Sequence, residues 1–309
     1  MKTLTTILRA SAEPTRLRLL ALLRVGELTV SELVTILGQS QPRISRHLKL
    51  LTDAGILERI QEGSWVFYRL SNYGTAADFI INILPLIPDN DPVLMRDQLA
   101  LRSVKQNKAD MAADYFRANA AHWNDLRSLH IDEAVVEQNI LDAFNDHPPK
   151  RLIDIGTGTG RILELMAANI ETGVGIDQSR EMLGIARSRI ETLDFDHIQV
   201  RQGDLFNLNF EAATFDAAVL HQVLHFLDAP DKAIEEAARI LNPGGQLMII
   251  DFAPHALENL RHNHNHHRLG FADLDIKTWC ARAGLSISQT VILDGDPLTV
   301  KIWQALKNG

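Results

Sequence analysis

The sequence predicts two folds in series: a small α+β winged helix-turn-helix module, then a larger α/β module built on a doubly wound sheet. Three observations carry this expectation. Near the start, two short helical patterns flank a tight glycine turn and are followed by two β-rich segments. Beyond residue 149, strand-like and helix-like segments alternate. At Arg151–Gly160, RLIDIGTGTG, an apolar run ends in a glycine-rich turn and enters a helical pattern. Such a unit brings bare backbone N–H groups up to a ligand.

A length of 309 residues predicts more than one domain. The boundaries read 1–74 for the winged helix, 75–148 for a helical connection and pocket cover, and 149–309 for the α/β domain. The net charge of −8 is unevenly spread. Residues 1–75 hold ten Lys/Arg and six Asp/Glu, a balance of +4, which leaves −12 for the rest. A basic N-terminal piece on an acidic chain fits a DNA-binding module joined to a domain for an uncharged ligand. Cys280 is the single cysteine, which excludes a disulfide framework and a cysteine metal cage. No leader pattern and no membrane-length apolar run is seen, so a cytoplasmic location without membrane contact is expected.

In the first module, Glu13-Pro14 opens a helix whose apolar face is Leu17, Leu20, Ala21 and Leu23. Thr29-Val30-Ser31-Glu32 reads as a capping box, followed by Leu33, Ile36 and Leu37 at helical spacing, with Gly38 as the stop. Ser40 and Pro42 open a third helix in which Ile44, Leu48 and Leu51 face inward. That leaves Gln41, Arg43, Ser45, Arg46 and Lys49 facing out, as a major-groove reader would need. Ile56–Ile60 and Trp65–Leu70 form a hairpin around Gln61–Ser64, with Arg59 and Arg69 placed for phosphate contact. His47, Arg16 and Arg18 read as structural. EPTRLRLLALL, SELVTILGQSQPRISRHLKLLTDAGIL and EGSWVFYRL together resemble the ArsR family of bacterial repressors. The resemblance implies a double-stranded DNA operator and a homodimer on paired half-sites. Glu27–Glu32 carries no cysteine, and the helix after the wing has Asp78 but no histidine. Thiolate metal sensing is therefore excluded and a zinc site is unsupported.

The connection breaks at Pro85, Pro88 and Asp91-Pro92. Asp91–Asn107 and Asp110–Leu129 read as two helices, the second gathering Tyr115, Phe116, Trp123 and Leu126, and Asp132–Phe144 reads as a third.

In the α/β domain, strands are expected near 151–155, 172–177, 197–201, 215–220 and 245–251. Leu285–Leu293 and Leu298–Leu306 would close the sheet as an antiparallel hairpin. The glycine spacing is G-x-G-x-G, which favours a nucleoside without a pyrophosphate over a dinucleotide. Asp177, ending the second strand, suits the two hydroxyls of a ribose. LIDIGTGTGRILELMA, GVGIDQSREML, VRQGDLF, FDAAVLHQVLHFL and RILNPGGQLMIID, in that order, resemble class I S-adenosylmethionine-dependent methyltransferases. The resemblance implies a Rossmann-like fold with a seven-stranded sheet and a site for S-adenosylmethionine or S-adenosylhomocysteine. It would pass Gly156, Thr157, Gly158 and Gly160 beside the methionine moiety, with Asp154 orienting the ammonium group. Asp177 would hold the ribose, Gln178 and Met182 would line the adenine, and Asp204 in Gly203-Asp204-Leu205 would accept from its amino group. His221 and Gln222 would sit at the methyl end. His221 and His225, four apart, are the candidate bases and could share a helical face. His262 and His266 have metal-ligand spacing within RHNHNHHRLGF, but no accompanying Cys or HExxH pattern supports a metal. Cys280 reads as a small core residue.

Two functions remain open: a DNA-binding repressor that senses an S-adenosyl ligand, with methionine-cycle genes as targets, or a methyltransferase for a phenolic or quinol acceptor that also binds DNA.

Overall fold

The computed structural model describes residues 2–62, 65–71, 74–88, 90–119, 133–145, 147–193 and 195–309. They fall into two compact units, Met1–Asp110 and Met111–Gly309.

The first unit opens with α1 (Lys2–Ser11) and α2 (Pro14–Leu23). Glu13 caps α2 by accepting from the Arg16 N–H at 2.9 Å. Then come β1 (Leu28–Thr29), α3 (Val30–Leu37) and α4 (Gln41–Asp53). Both bonds of the predicted capping box form: Thr29 Oγ1 accepts from Glu32 N and Glu32 accepts from Thr29 N. Gly38 takes the left-handed conformation, φ 61°, that ends α3. Ser40 holds the N-cap position of α4 without a side-chain capping bond. Ile44, Leu48 and Leu51 are fully buried, which seats α4 against α2 and α3. The hairpin strands β2 (Leu57–Glu62) and β3 (Trp65–Leu70) pair antiparallel, with β1 on the outer side of β3. The turn residues Gly63 and Ser64 lie outside the described residues.

The core of this unit continues past residue 74. Helix α5 (Gly74–Ile83), a short 3-10 turn (Leu84–Leu86) and α6 (Pro92–Asn119) follow. Ala76, Phe79, Ile80, Leu84 and Leu101 are buried with the helix-turn-helix residues. Arg18 of α2 grips Asp97 of α6 with two bonds, 2.6 and 2.7 Å, and Asp97 is almost wholly buried. The two helices expected at 91–107 and 110–129 are instead one continuous helix as far as Asn119. No proline or glycine interrupts residues 93–119, so nothing in that stretch stops propagation. Trp123 and Leu126, and the side chains of Tyr115 and Phe116, lie outside the described residues.

In the second unit, α7 (Glu133–Asn145) precedes a seven-stranded sheet. Its strands are β4 (Arg151–Ile155), β5 (Thr172–Asp177), β6 (Ile198–Gln202), β7 (Phe215–His221), β8 (Leu241–Phe252), β9 (Leu285–Leu293) and β10 (Val300–Lys307). The order is β6-β5-β4-β7-β8-β10-β9. β4 to β8 run parallel, and β10 is antiparallel to both neighbours. This is the Rossmann-like sheet with the closing hairpin that the sequence predicts. The helices are α8 (Arg161–Met166), α9 (Arg180–Thr192), α10 (Pro230–Ile240), α11 (Asn259–His264) and α12 (Asp273–Arg282). Asn242–Gly245 is looped out within β8: Phe215 pairs with Leu241 while Ala217 already pairs with Gln246. Cys280 is buried, and burial pushes its thiol up to about 12.

Replacing Asp97 with alanine leaves Arg18 without its bidentate partner. The expected cost to the first unit is about 2–3 kcal/mol, read by urea unfolding followed at far-UV wavelengths. An unchanged midpoint counts against the pair as an anchor of α6.

Candidate functional site

In an open parallel sheet, ligands bind beyond the carboxyl ends of the strands, where the strand order reverses. Here that point lies at β4, whose neighbours are β5 and β7. The residues the sequence nominates for a nucleoside gather there.

The turn after β4 is tightly built. Gly156 and Thr157 both donate backbone N–H groups to the Ile176 carbonyl, at 2.7 and 3.0 Å. Gly156, Gly158 and Gly160 have φ values of 78°, 51° and 79°, in the region that glycine alone visits freely. A Cβ on Gly156 would clash with the side chain of Val223. The first glycine is therefore required by contact as well as by conformation. Asp154 is buried beneath the turn, and its Oδ2 accepts from the Thr157 hydroxyl at 2.6 Å.

Asp177 ends β5. One carboxylate oxygen accepts from Gly158 N at 2.8 Å, and the other accepts from Ser179 N at 2.8 Å. A carboxylate has about four lone-pair positions, so acceptor capacity remains for two hydroxyls. Burial holds the Asp177 carboxyl above its ordinary range, against the lowering effect of these N–H groups. Ser179 caps α9 by accepting from Met182 N. Met182 and Leu205 are buried core residues, while Gln178 and Asp204 are exposed. Asp204 is bonded within its own turn, accepting from Phe206 N at 3.0 Å. Gly203 N donates to the Asp177 carbonyl, which keeps that turn beside β5.

At the end of β7, His221 is buried and Gln222 is turned into the left-handed region, φ 53°. That conformation is strained for a non-glycine residue and is a mark of functional positions. Gln222 is 6% exposed, its backbone N–H is held by Ile250 O, and its buried Nε2 has no hydrogen-bond partner among the described residues. The Gln222 amide, the clash-limited glycine turn and the Asp177 carboxylate all stand at the carboxyl ends of β7, β4 and β5, the edge at which such sheets take their ligands.

His221 and His225 do not share a helical face. His221 is the last residue of β7, and His225 lies in a one-turn 3-10 helix, Leu224–Phe226. The partner of His225 is a residue that no sequence motif singles out. Asp251, fully buried at the end of β8, accepts from His225 Nδ1 at 2.8 Å, His225 N at 3.3 Å and Phe252 N at 2.8 Å. His225 is 2% exposed, and the ring of His266 packs on it at 4.2 Å. The His225 carbonyl in turn accepts from His267 and Arg268 N–H groups. The signal for Asp251 was its place at the end of a predicted strand. His262 and His266 do not form a ligand pair: α11 ends at His264 and Asn265 reverses the chain at φ 55°, leaving His262 exposed and His266 buried. Among the described residues, no group of three or more His, Cys, Asp or Glu is placed to hold a metal ion.

In the first unit, Gln41, Arg43, Arg46 and Lys49 are exposed along α4 and Ser45 is half-buried. Lys49 pairs with Asp53 one turn on, an exposed ion pair of small energy. Arg59 is exposed on the wing, bonded to Gln61. Arg69 is drawn away from the role of phosphate ligand, because Glu27 and Glu58 both engage it. His47 packs sideways against Glu13, 3.6 Å from its carboxylate.

Two outcomes test this geometry. Gly156→Ala forces a Cβ into Val223 and should abolish binding of S-adenosylhomocysteine in calorimetry. The paired Val223→Ala change should restore part of it, and full affinity in the single variant refutes the contact. Protonation turns one Asp177 oxygen into a donor and cuts the acceptor capacity it offers a ribose, and burial holds its carboxyl above the usual range. Affinity should therefore fall as the pH is lowered, with the fall starting above the range where an ordinary carboxylate titrates, and Asp177→Asn should remove that dependence along with most of the affinity.

Comparison with known proteins agrees with both units. Residues 13–59 match the family model of the bacterial regulatory protein arsR family, and residues 153–249 match a methyltransferase domain model. The arsenical resistance operon repressor of Escherichia coli is 54% identical over 61 residues, 19% of this chain and 52% of that one. The demethylmenaquinone methyltransferase of Thermus thermophilus is 33% identical over 117 residues, 37% of this chain and 52% of that one. The chain spans from about a third to about half the length of the first curated relatives it matches. A chain of the Haloferax volcanii complex between a methyltransferase and the Trm112 activator superposes with a TM-score of 0.54. It is 20% identical and covers 64% of this chain and 98% of its own, a likeness of fold alone. The protein is a fusion of an arsR-family helix-turn-helix domain with a methyltransferase domain of Rossmann-like fold.

Proposed function

We propose that the protein is a cytoplasmic transcriptional repressor whose methyltransferase domain takes S-adenosylmethionine or S-adenosylhomocysteine as its effector. The observation that carries this reading is one chain holding both an exposed basic face on α4 and a nucleoside-type site at β4, β5 and β7. An enzyme gains nothing catalytic from a DNA reader, whereas a reader gains an input from a ligand domain. Gln41, Arg43, Ser45, Arg46 and Lys49 enter the major groove, and Arg59 meets the backbone from the wing. Two copies read a palindromic operator, one half-site each. Methionine-cycle genes are the natural targets for a regulator that reads this pair of ligands.

A second reading is supported by the His225–Asp251 pair. In it the domain also methylates a phenolic or quinol acceptor. The bound cofactor supplies an electrophilic methyl group, and the chain's own residues align the acceptor and take its proton. Asp251 holds Nδ1 of His225, which leaves Nε2 as the ring atom available to a proton.

DNA binding by fluorescence anisotropy tests the first reading. The probe is the gene's own upstream region, titrated without ligand, with S-adenosylmethionine and with S-adenosylhomocysteine. A ligand moves DNA affinity only by as much as it binds the two states unequally. A shift of about tenfold or more by one form, about 1.4 kcal/mol of coupling, is expected. DNA binding indifferent to both forms overturns the effector role and leaves the enzyme reading. Arg46→Ala should weaken operator binding by about 1–3 kcal/mol if it reads a base edge. Unchanged affinity in that variant removes Arg46 from the interface.

A further inference from the structure

The nucleoside site is followed at once by a charge. Arg161 comes directly after Gly160, the last glycine of the turn, and is the first residue of α8. A guanidinium there adds to the positive end of the backbone dipoles instead of offsetting it. The structure compensates it. Glu137, reaching from α7, accepts two bonds from Arg161, Nε at 2.6 Å and Nη2 at 2.7 Å. Glu164, one turn along α8, stands 3.1 Å from Nη1 of Arg161 and 3.5 Å from Nη1 of Arg189 on α9. Two guanidinium groups and two carboxylates therefore close a neutral network behind the turn. Glu137 is only 14% exposed, so its charge is less screened than that of a surface carboxylate. The other acidic groups at the turn, Asp154 and Asp177, are bonded to Thr157 and to backbone N–H groups of the turn itself.

The two forms of an S-adenosyl ligand differ in one respect that electrostatics can read. The methylated form carries a sulfonium cation, and the demethylated form carries a neutral thioether. We propose that the Glu137–Arg161 pair sets the preference of this site between the cationic and the neutral form. This rests on the reading that the site takes an S-adenosyl ligand, and it deepens that reading by naming residues that decide which form binds better. With the pair intact, Arg161 exerts little net field on the ligand. Removing Glu137 exposes the sulfonium to an uncompensated cation. Removing Arg161 leaves an uncompensated anion, which favours the sulfonium. A shape change behind the turn would weaken both forms together, because they share the adenosine and the amino acid tail. A field change separates them.

The experiment is isothermal titration of the full-length protein with S-adenosylmethionine and with S-adenosylhomocysteine, comparing wild type, Glu137→Gln, Arg161→Gln and the double variant. A unit charge at a distance on the order of 10 Å, at an effective dielectric of about 40, changes the affinity ratio by about fourfold. Glu137→Gln should move the ratio towards the neutral form by about that factor, and Arg161→Gln should move it towards the cationic form. The double variant should return near the wild-type ratio, and all shifts should shrink in 0.5 M salt. Shifts of opposite sign cannot come from damage to the fold, so either single variant that remains folded tests the proposal against the double. Equal losses for both forms, with the ratio unmoved, overturn it while leaving the effector reading intact. Failure of wild type to bind either form overturns that reading and the proposal with it.

Discussion

The carboxylate of Asp177 ties the glycine turn to the end of β5. One oxygen takes the N–H of Gly158 and the other takes the N–H of Ser179. The turn after β4 and the cap of α9 are thus held by one side chain. The Ile176 carbonyl adds two more bonds to the same turn. Three left-handed glycines become tolerable in succession because these bonds over-determine the path. Val223 closes the other side by resting where Gly156 lacks a side chain. The burial that gives Asp177 this anchoring position also disfavours its charge. The same residue is therefore both keystone and liability, a common arrangement where a ligand must be met by a preformed acceptor.

The reader depends on a different constraint. Its recognition helix is held from behind by Ile44, Leu48 and Leu51, and the helix before it, α3, is capped by the Thr29–Glu32 box. Arg69 anchors the base of the wing to Glu27 and Glu58 across the three-stranded sheet. The cations left exposed on α4 are therefore mounted on a stiff frame, so little ordering cost falls on the helix itself when it meets a duplex.

Much of this was legible in the sequence where chemistry is local. A capping box, a left-handed glycine and an i, i+4, i+7 apolar stripe each act within a few residues, and each forms as read. The Rossmann-like class of the sheet was legible through motif order, and the closing hairpin through its two β-rich segments. What was not legible depends on long-range contact. Arg69 is engaged by Glu27, 42 positions away, a contact that no local pattern announces. His221 and His225 looked like helix neighbours because spacing alone cannot tell a strand end from a helix. The Asp251 partner of His225 and the Asp97 partner of Arg18 lie 26 and 79 positions away. The break expected between Asn107 and Asp110 does not form, because no proline or glycine stops the helix there.

Cys280 has a practical consequence for anyone who wishes to watch this molecule move. It is the only sulfhydryl in 309 residues, and it is sealed in the core with its thiol held far from ionisation. Maleimides and other thiolate-directed dyes need an ionised, accessible sulfur. A single cysteine introduced on α4 or on the surface of the α/β domain would then take a fluorophore or spin label alone. The chain is by construction of its own sequence a nearly silent background for site-specific spectroscopy.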